Sequence, residues 1–136
     1  VKDRREEVLK EIYAAFAARR REPIQALLPD HFEFHPVTGR QVGRTEPYRG
    51  REGFSEYFAD VDRVWTELRL RVDRFQHSGD RTLCVGRAWA RNDDVVIDSP
   101  TGWIWTFEEG TAVPIKCTVH DDLMAALEEF GDGERG

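Results

Sequence analysis

The period of the apolar residues switches near residue 66, and that switch limits the folds open to this chain. Before it, Val8, Leu9, Ile12, Tyr13 and Phe16 fall on one face of a helix. Phe54, Tyr57, Phe58, Val61 and Trp65 fall on one face of another. After it the period is two. Leu68, Leu70 and Val72 alternate with Arg69, Arg71 and Asp73. Leu83, Val85, Arg87 and Trp89 alternate with Cys84, Gly86, Ala88 and Ala90. Val95-Val96-Ile97 opens a further strand, read as interrupted by Ser99-Pro100-Thr101-Gly102 before Trp103, Trp105 and Phe107 resume the alternation. Val113, Ile115, Cys117 and Val119 make a last strand. The joints are turn signals: Ser78-Gly79-Asp80, Asn92-Asp93-Asp94 and Glu109-Gly110. No helical stretch separates these strands. A parallel crossover needs about a dozen residues or more, so the expected arrangement is an antiparallel meander.

The first half carries shorter elements as well. Pro23 suits the first turn of a short helix bearing Ile24, Leu27 and Leu28, which Pro29-Asp30 stops. His31-Phe32-Glu33-Phe34-His35 alternates as a strand, and Pro36 to Pro47 reads as a loop. Leu123, Met124, Leu127 and Phe130 predict a closing helix, and residues 131–136 a frayed tail. Helices come first and hairpins last. The expected class is α+β, with helices against one face of a curved antiparallel sheet, in one domain spanning 1–136.

Composition narrows the partners. A formal charge of -6 disfavours nucleic acid and anionic membrane surfaces. Aromatic residues make up 11% of the chain, a load that disordered chains lack. Cys84 and Cys117 lie in apolar strands without ligand spacing, so they read as buried thiols. No apolar run approaches the ~20 residues of a membrane span, and the charged N-terminus lacks leader character, which makes a cytoplasmic protein the expectation.

Three segments carry a family resemblance. Tyr48-Arg49-Gly50-Arg51-Glu52-Gly53-Phe54 resembles the entry into the third helix of the SnoaL-like branch of the nuclear-transport-factor-2-like superfamily. Trp105-Thr106-Phe107-Glu108-Glu109-Gly110 resembles its hairpin, and Asp122 to Ala126-Leu127 its closing turn. The resemblance implies the cone fold shared with ketosteroid isomerase, scytalone dehydratase, limonene epoxide hydrolase and polyketide cyclases. It also implies an apolar pocket between helices and sheet, a small hydrophobic molecule as ligand, no cofactor or metal, and a homodimer through the sheet. Fold alone does not settle activity.

Candidate residues follow from type and position. Tyr13, Phe16, Tyr57, Phe58, Trp89, Trp103 and Trp105, with Trp65, are the aromatic supply of such a pocket. His35-Pro36-Val37 resembles the Asp-Pro-Val of ketosteroid isomerase, where the aspartate is the base, and an imidazole suits that task near neutral pH. If Phe32 and Phe34 face the pocket, His35 turns away with Glu33. His120 ends the last strand beside Asp121 and Asp122, either as a His–carboxylate pair or beside a helix cap. Arg87 interrupts an apolar face and would hold a ligand carboxylate or pair with Glu33 or Asp98. Asp98 is an acid/base candidate or a turn residue.

Complete catalytic sets are missing. The limonene epoxide hydrolase pattern fails at Arg87-Ala88-Trp89 and at Val119. The ketosteroid isomerase tyrosine is one position out of phase at Tyr13, and His35 and His120 do not match the scytalone dehydratase pair. Two functions therefore stay open: cofactor-free acid/base chemistry with His35 as base and Tyr13, Arg87, Asp98 and His120 as orienting groups, or a non-catalytic ligand-binding or dimerisation module.

Overall fold

The computed structural model describes residues 1–37 and 43–135, and side chains up to residue 131. In chain order its elements are α1 (Lys2–Ala17), α2 (Arg21–Leu27), β1 (Glu33–His35), β2 (Tyr48–Arg49), α3 (Gly50–Val64), β3 (Glu67–Ser78), β4 (Arg81–Arg91), β5 (Val96–Phe107), β6 (Pro114–His120) and α4 (Leu123–Arg135). Part of the expected Pro36–Pro47 loop, 38–42, lies outside the described residues. The class is α+β, and the sheet is open, with strand order β2-β1-β6-β5-β4-β3. The meander β3 to β6 is antiparallel throughout. The sheet as a whole is mixed, because β1 joins the meander parallel to β6. The long excursion through α3 and the meander is its crossover. No helix among the described residues is long and apolar enough to cross a membrane.

β5 runs unbroken through the segment that the sequence reads as interrupted. Pro100 is tolerated because β6 pairs β5 only from Gly102 onward, so one side of β5 is unpaired at Pro100. α4 also continues through Gly131 to Arg135, where a frayed tail was expected. Buried Phe130 anchors it, and Asp122 Oδ1 accepts from the Met124 amide at 3.0 Å as an N-cap.

Local geometry explains the glycine-rich segment before α3. Gly50 has φ +64, and a Cβ there would lie 2.6 Å from the Asp30 carbonyl oxygen. Only a residue without a side chain turns β2 into α3 this tightly while its amide donates to the Phe32 carbonyl at 2.8 Å. α1 ends differently. Arg19 takes φ +57, and the amides of Arg19 and Arg20 bond the carbonyls of Phe16 and Ala15, a Schellman closure built on arginine.

β3 carries a bulge, a feature that bends a strand. Its register to β4 shifts between Val72 and Arg74, leaving Asp73 as a bulge. At this bend a Cβ on Gly86 would stand 1.7 Å from the Arg71 carbonyl oxygen. The bend and the pleat give two unlike faces. Cys84, Trp103, Trp105, Phe34 and Cys117 sit on the inner face in one core with α1, α2 and α3. Leu83 and Ile104 point outward and are covered at one end by Ala126 and Phe130 of α4. Cys84 and Cys117 are buried free thiols.

A buried arginine ties α1 to the hairpin turns. Arg5 is 3% exposed, and its guanidinium donates to the carbonyls of Thr111 at 2.7 Å and Gly79 at 2.9 Å and to Asp80 Oδ1 at 3.0 Å. Beside it, His77 bridges Glu6 at 2.8 Å and Thr82 Oγ1 at 2.9 Å.

Candidate functional site

The inner face is not filled evenly. Across β4 and β5, Trp103 stands opposite Cys84 and Trp105 opposite Thr82. Further along the strands the opposed pairs shrink to Thr101 with Gly86, Ser99 with Ala88 and Ile97 with Ala90. These small side chains leave a cavity of about 130 Å³ under α1 and α3. Apolar cavities of ~150 Å³ hold a benzene ring. Ile12, Phe16, Tyr57 and Trp103 are among the buried residues of its wall. Half-exposed Val37, Leu68, Ile97 and Ser99, with exposed Asp121, mark the mouth. Asp121 is the one charged side chain among the described lining residues.

The aromatic wall is braced. Tyr57 meets Phe34 edge-on at 4.7 Å and stacks with Phe16 at 5.9 Å. Tyr13 stands edge-on to Trp103 at 5.6 Å and to Trp105 at 6.2 Å. Its hydroxyl accepts from Trp105 Nε1 at 3.1 Å. Tyr13 is thereby committed to the wall. Burial raises its pKa, and burial pushes the Cys84 thiol up to about 12, so both keep their protons at neutral pH.

Three other polar atoms of the wall are uncommitted. Among the described residues, Tyr57 Oη, Trp65 Nε1 and Trp103 Nε1 find no hydrogen-bond partner. Every enclosed side-chain nitrogen or oxygen among the described residues has a partner, so these three reach open space. Their residues are 4%, 7% and 3% exposed, and all three line the cavity. Burial raises the Tyr57 pKa as well, which leaves the hydroxyl neutral and able to donate.

The titratable candidates lie elsewhere. Phe34 points inward, and His35 turns outward with Glu33, whose Oε2 is 3.4 Å from His35 Nε2. That is the orientation expected if the strand phenylalanines face the pocket, and it removes His35 from the cavity wall. Asp98 lies on the outer face, paired to Arg87 Nε at 2.9 Å, and Trp89 lies there too, under the Arg69 guanidinium at 5.2 Å. The Arg87–Asp98 pair was one of the two pairings expected for that arginine. Glu33 instead takes Arg49 at 2.6 Å, and this guanidinium holds the Glu33 carboxyl below its ordinary range. His120 also faces outward and meets Glu129 of α4 at 2.6 Å rather than Asp121 or Asp122. The pleat is the common reason: these residues are one position out of phase with the inward set. Phe58 is buried among Phe16 and Phe54, behind the wall.

His35 and His120 do border one shared cleft of about 230 Å³ on the other side of Phe34, with Arg44 and Glu46. No group of His, Cys, Asp and Glu among the described residues is arranged to hold a metal ion. The cavity therefore receives Tyr13, Phe16, Tyr57, Trp65, Trp103 and Trp105 of the predicted set, and not Phe58, Arg87, Trp89, His35, Asp98 or His120. Sequence reasoning missed Phe34, Phe54, Ser99, Thr101 and Asp121 as liners. Its usable signal was the cross-strand run of small residues, Gly86, Ala88 and Ala90 against Thr101 and Ser99.

Similar proteins agree with this architecture. TerC, co-crystallised with polyporic acid, superposes with a TM-score of 0.76 at 24% identity, covering 92% of this chain and 96% of TerC. An NTF2-like protein of unknown function from Burkholderia pseudomallei K96243 gives 0.76 at 20% identity, with 92% and 95% covered. A protein of ketosteroid isomerase-like fold from Catenulispora acidiphila DSM 44928, in complex with trimethylamine, gives 0.70 at 12% identity, with 92% covered of each chain. No curated protein matches the sequence. Residues 9–115 match the SnoaL-like domain, and with the helices, the curved sheet and the aromatic cavity in place, the chain belongs to the SnoaL-like family.

Proposed function

We propose that the cone cavity binds one small, largely apolar organic molecule, and that binding is the primary task of this chain. The observation that carries the reading is the wall itself: braced aromatic rings around unfilled space, with a single charge at the rim. Burial of one aromatic ring there releases apolar surface from water at roughly 25 cal/mol per Å². TerC and the Catenulispora protein, both of this fold, were crystallised with small organic molecules, which supports the reading. The test is titration of one- and two-ring aromatics against tryptophan fluorescence, since Trp65, Trp103 and Trp105 line the cavity. Saturable quenching that Ala88→Leu weakens is the expected result. Its absence across the panel would sink the reading.

Proton-transfer chemistry is the second reading, favoured by one observation: Asp121 stands at the mouth of a cavity whose wall includes the protonated Tyr57 hydroxyl. Asp121 would take a proton from the bound molecule while Tyr57 donates to the oxygen that gains charge. Product analysis by mass spectrometry decides it. Turnover lost in Asp121→Asn supports it, and an unchanged panel rejects it.

A homodimer through the outer sheet face is a proposal of the same kind. Half-buried Trp89 and the 63% exposed Val96 are apolar points on that otherwise charged surface. A monomeric mass by light scattering would overturn it.

A further inference from the structure

The turn between α1 and α2 carries three arginines that neither the core nor the cavity uses. Arg19 is the one residue other than glycine with positive φ among the described residues, at +57. Glycine is the ordinary occupant of such a helix stop, because a Cβ there crowds the neighbouring carbonyl. Arg20 is the N-cap of α2 and Arg21 its first residue. A helix N-terminus disfavours a cation, so both stand where the dipole opposes them. The last turn of α1, whose dipole would welcome a base, holds none. All three arginines are exposed.

Charge pairing sets this turn apart as well. The chain has 26 acidic against 20 basic residues, so carboxylates are in excess. Other arginines take them: Arg44 holds Glu56, Arg63 holds Asp60, Arg71 holds Asp73 and Arg87 holds Asp98. Among the described residues Arg19, Arg20 and Arg21 form no ion pair. Arg19 instead lies over the ring of Phe16, 5.1 Å from its centre. Strain at φ, two cations at a helix start and mutual repulsion all act against the turn. No carboxylate among the described residues offsets them.

We propose that the Arg19-Arg20-Arg21 turn is the docking point for an acidic segment of a partner protein. Carboxylates of that segment supply the counter-charges that the chain itself withholds, and guanidinium groups pair with them through two parallel hydrogen bonds. The overall charge of -6 sets the chain against nucleic acid and anionic lipid surfaces. A short run of carboxylates engages the turn locally, within a Debye length of about 8–10 Å. Phe16, beneath Arg19, also lines the cavity, so the partner is seated beside the cavity wall. This inference stands apart from the binding function proposed for the cavity.

The experiment titrates the whole chain into a fluorescein-labelled hexaglutamate peptide at low salt and follows anisotropy. Saturable binding that salt weakens is expected. Replacing the turn by Arg19→Gln, Arg20→Gln and Arg21→Gln together should weaken it about tenfold, the worth of three exposed ion pairs. Removing the same charge elsewhere, by Arg4→Gln, Arg71→Gln and Arg74→Gln, should leave it within about twofold. Equal losses in the two triple variants, or no saturable binding to the native chain, overturn the proposal. Arg19→Gly separates docking from stability. It should raise the melting midpoint by about 3 °C while weakening the peptide about twofold. A lowered midpoint shows that Arg19 serves the fold and overturns the strain argument with the proposal. Two further outcomes reassign the turn and overturn a separate protein partner. One is a single-stranded oligonucleotide of the same charge binding more than about tenfold tighter than the peptide. The other is a dimer by light scattering that the Gln variant of the turn dissolves.

Discussion

The two faces of the sheet come from the same strands and could hardly differ more. Inward, β4 and β5 present Cys84, Ala88, Ala90, Ser99, Thr101, Trp103 and Trp105, all uncharged. Outward, β3, β4 and β5 present Glu67, Arg69, Arg71, Arg87, Arg91 and Asp98, all of them ion-paired. The inner face is aromatic, neutral and incompletely filled. The outer face carries the residue types that a search for chemistry looks for first. The lesson is that a residue's type nominates it, but the pleat decides whether it meets a ligand.

The largest test strains the inner face where β3 and β4 approach most closely. Gly86→Ala puts a methyl against the Arg71 carbonyl, where no flexible side chain is available to yield. We expect a loss of about 3 kcal/mol in chemical denaturation, together with loss of probe binding. A fully stable Gly86→Ala protein would show that the curvature does not depend on this contact. Arg5→Met comes next. It leaves the Thr111 and Gly79 carbonyls without their donor, and about 2 kcal/mol should go. Because Arg5 is remote from the mouth, probe affinity measured well below the melting temperature should stay within twofold.

Two smaller tests sharpen the contrast. Asp98→Ala removes an exposed pair and should cost under about 0.5 kcal/mol. His35→Ala and His120→Ala should likewise leave probe affinity unchanged by calorimetry. A clear loss in any of the three would place the site on the outer face. The smallest effect is a pH dependence. Glu33 has a lowered pKa, chiefly through its hydrogen bond from Arg49. Its contribution is present above the unfolded carboxylate value, roughly 4.3, and is lost as pH falls through the lower folded value. Because the side chain is 34% exposed, the effect is modest. Acid titration of stability should therefore be slightly shallower in Glu33→Gln than in the native chain.

Much of the fold was legible because period and turn chemistry are local. The switch near residue 66, the turns at Gly79 and Gly110, and the Gly50 entry to α3 all arise within a few residues. The parallel seat of β1 on β6 was not legible, since it joins segments about eighty residues apart. The site was harder for a reason specific to cavities. Leu83, Val85 and Trp89 make the odd-numbered face of β4 look like the buried one. The inner face instead carries Gly86, Ala88 and Ala90, because empty space is made from small residues. Hydrophobic strength thus pointed outward exactly where the pocket lies inward, and His120 and Asp98 were nominated with the wrong phase.

The Arg5 anchorage bears on how a molecule would get in. Arg5 and Glu6 fasten the N-terminal turns of α1 to the β3–β4 and β5–β6 turns. Ile12, Tyr13 and Phe16, which wall the cavity, lie two to three turns further on. That far half is held in turn by Tyr13 against Trp103 and Trp105 and by Phe16 against Tyr57 and Phe58, so α1 is fastened at both ends and a molecule enters by the mouth rather than by displacing the helix.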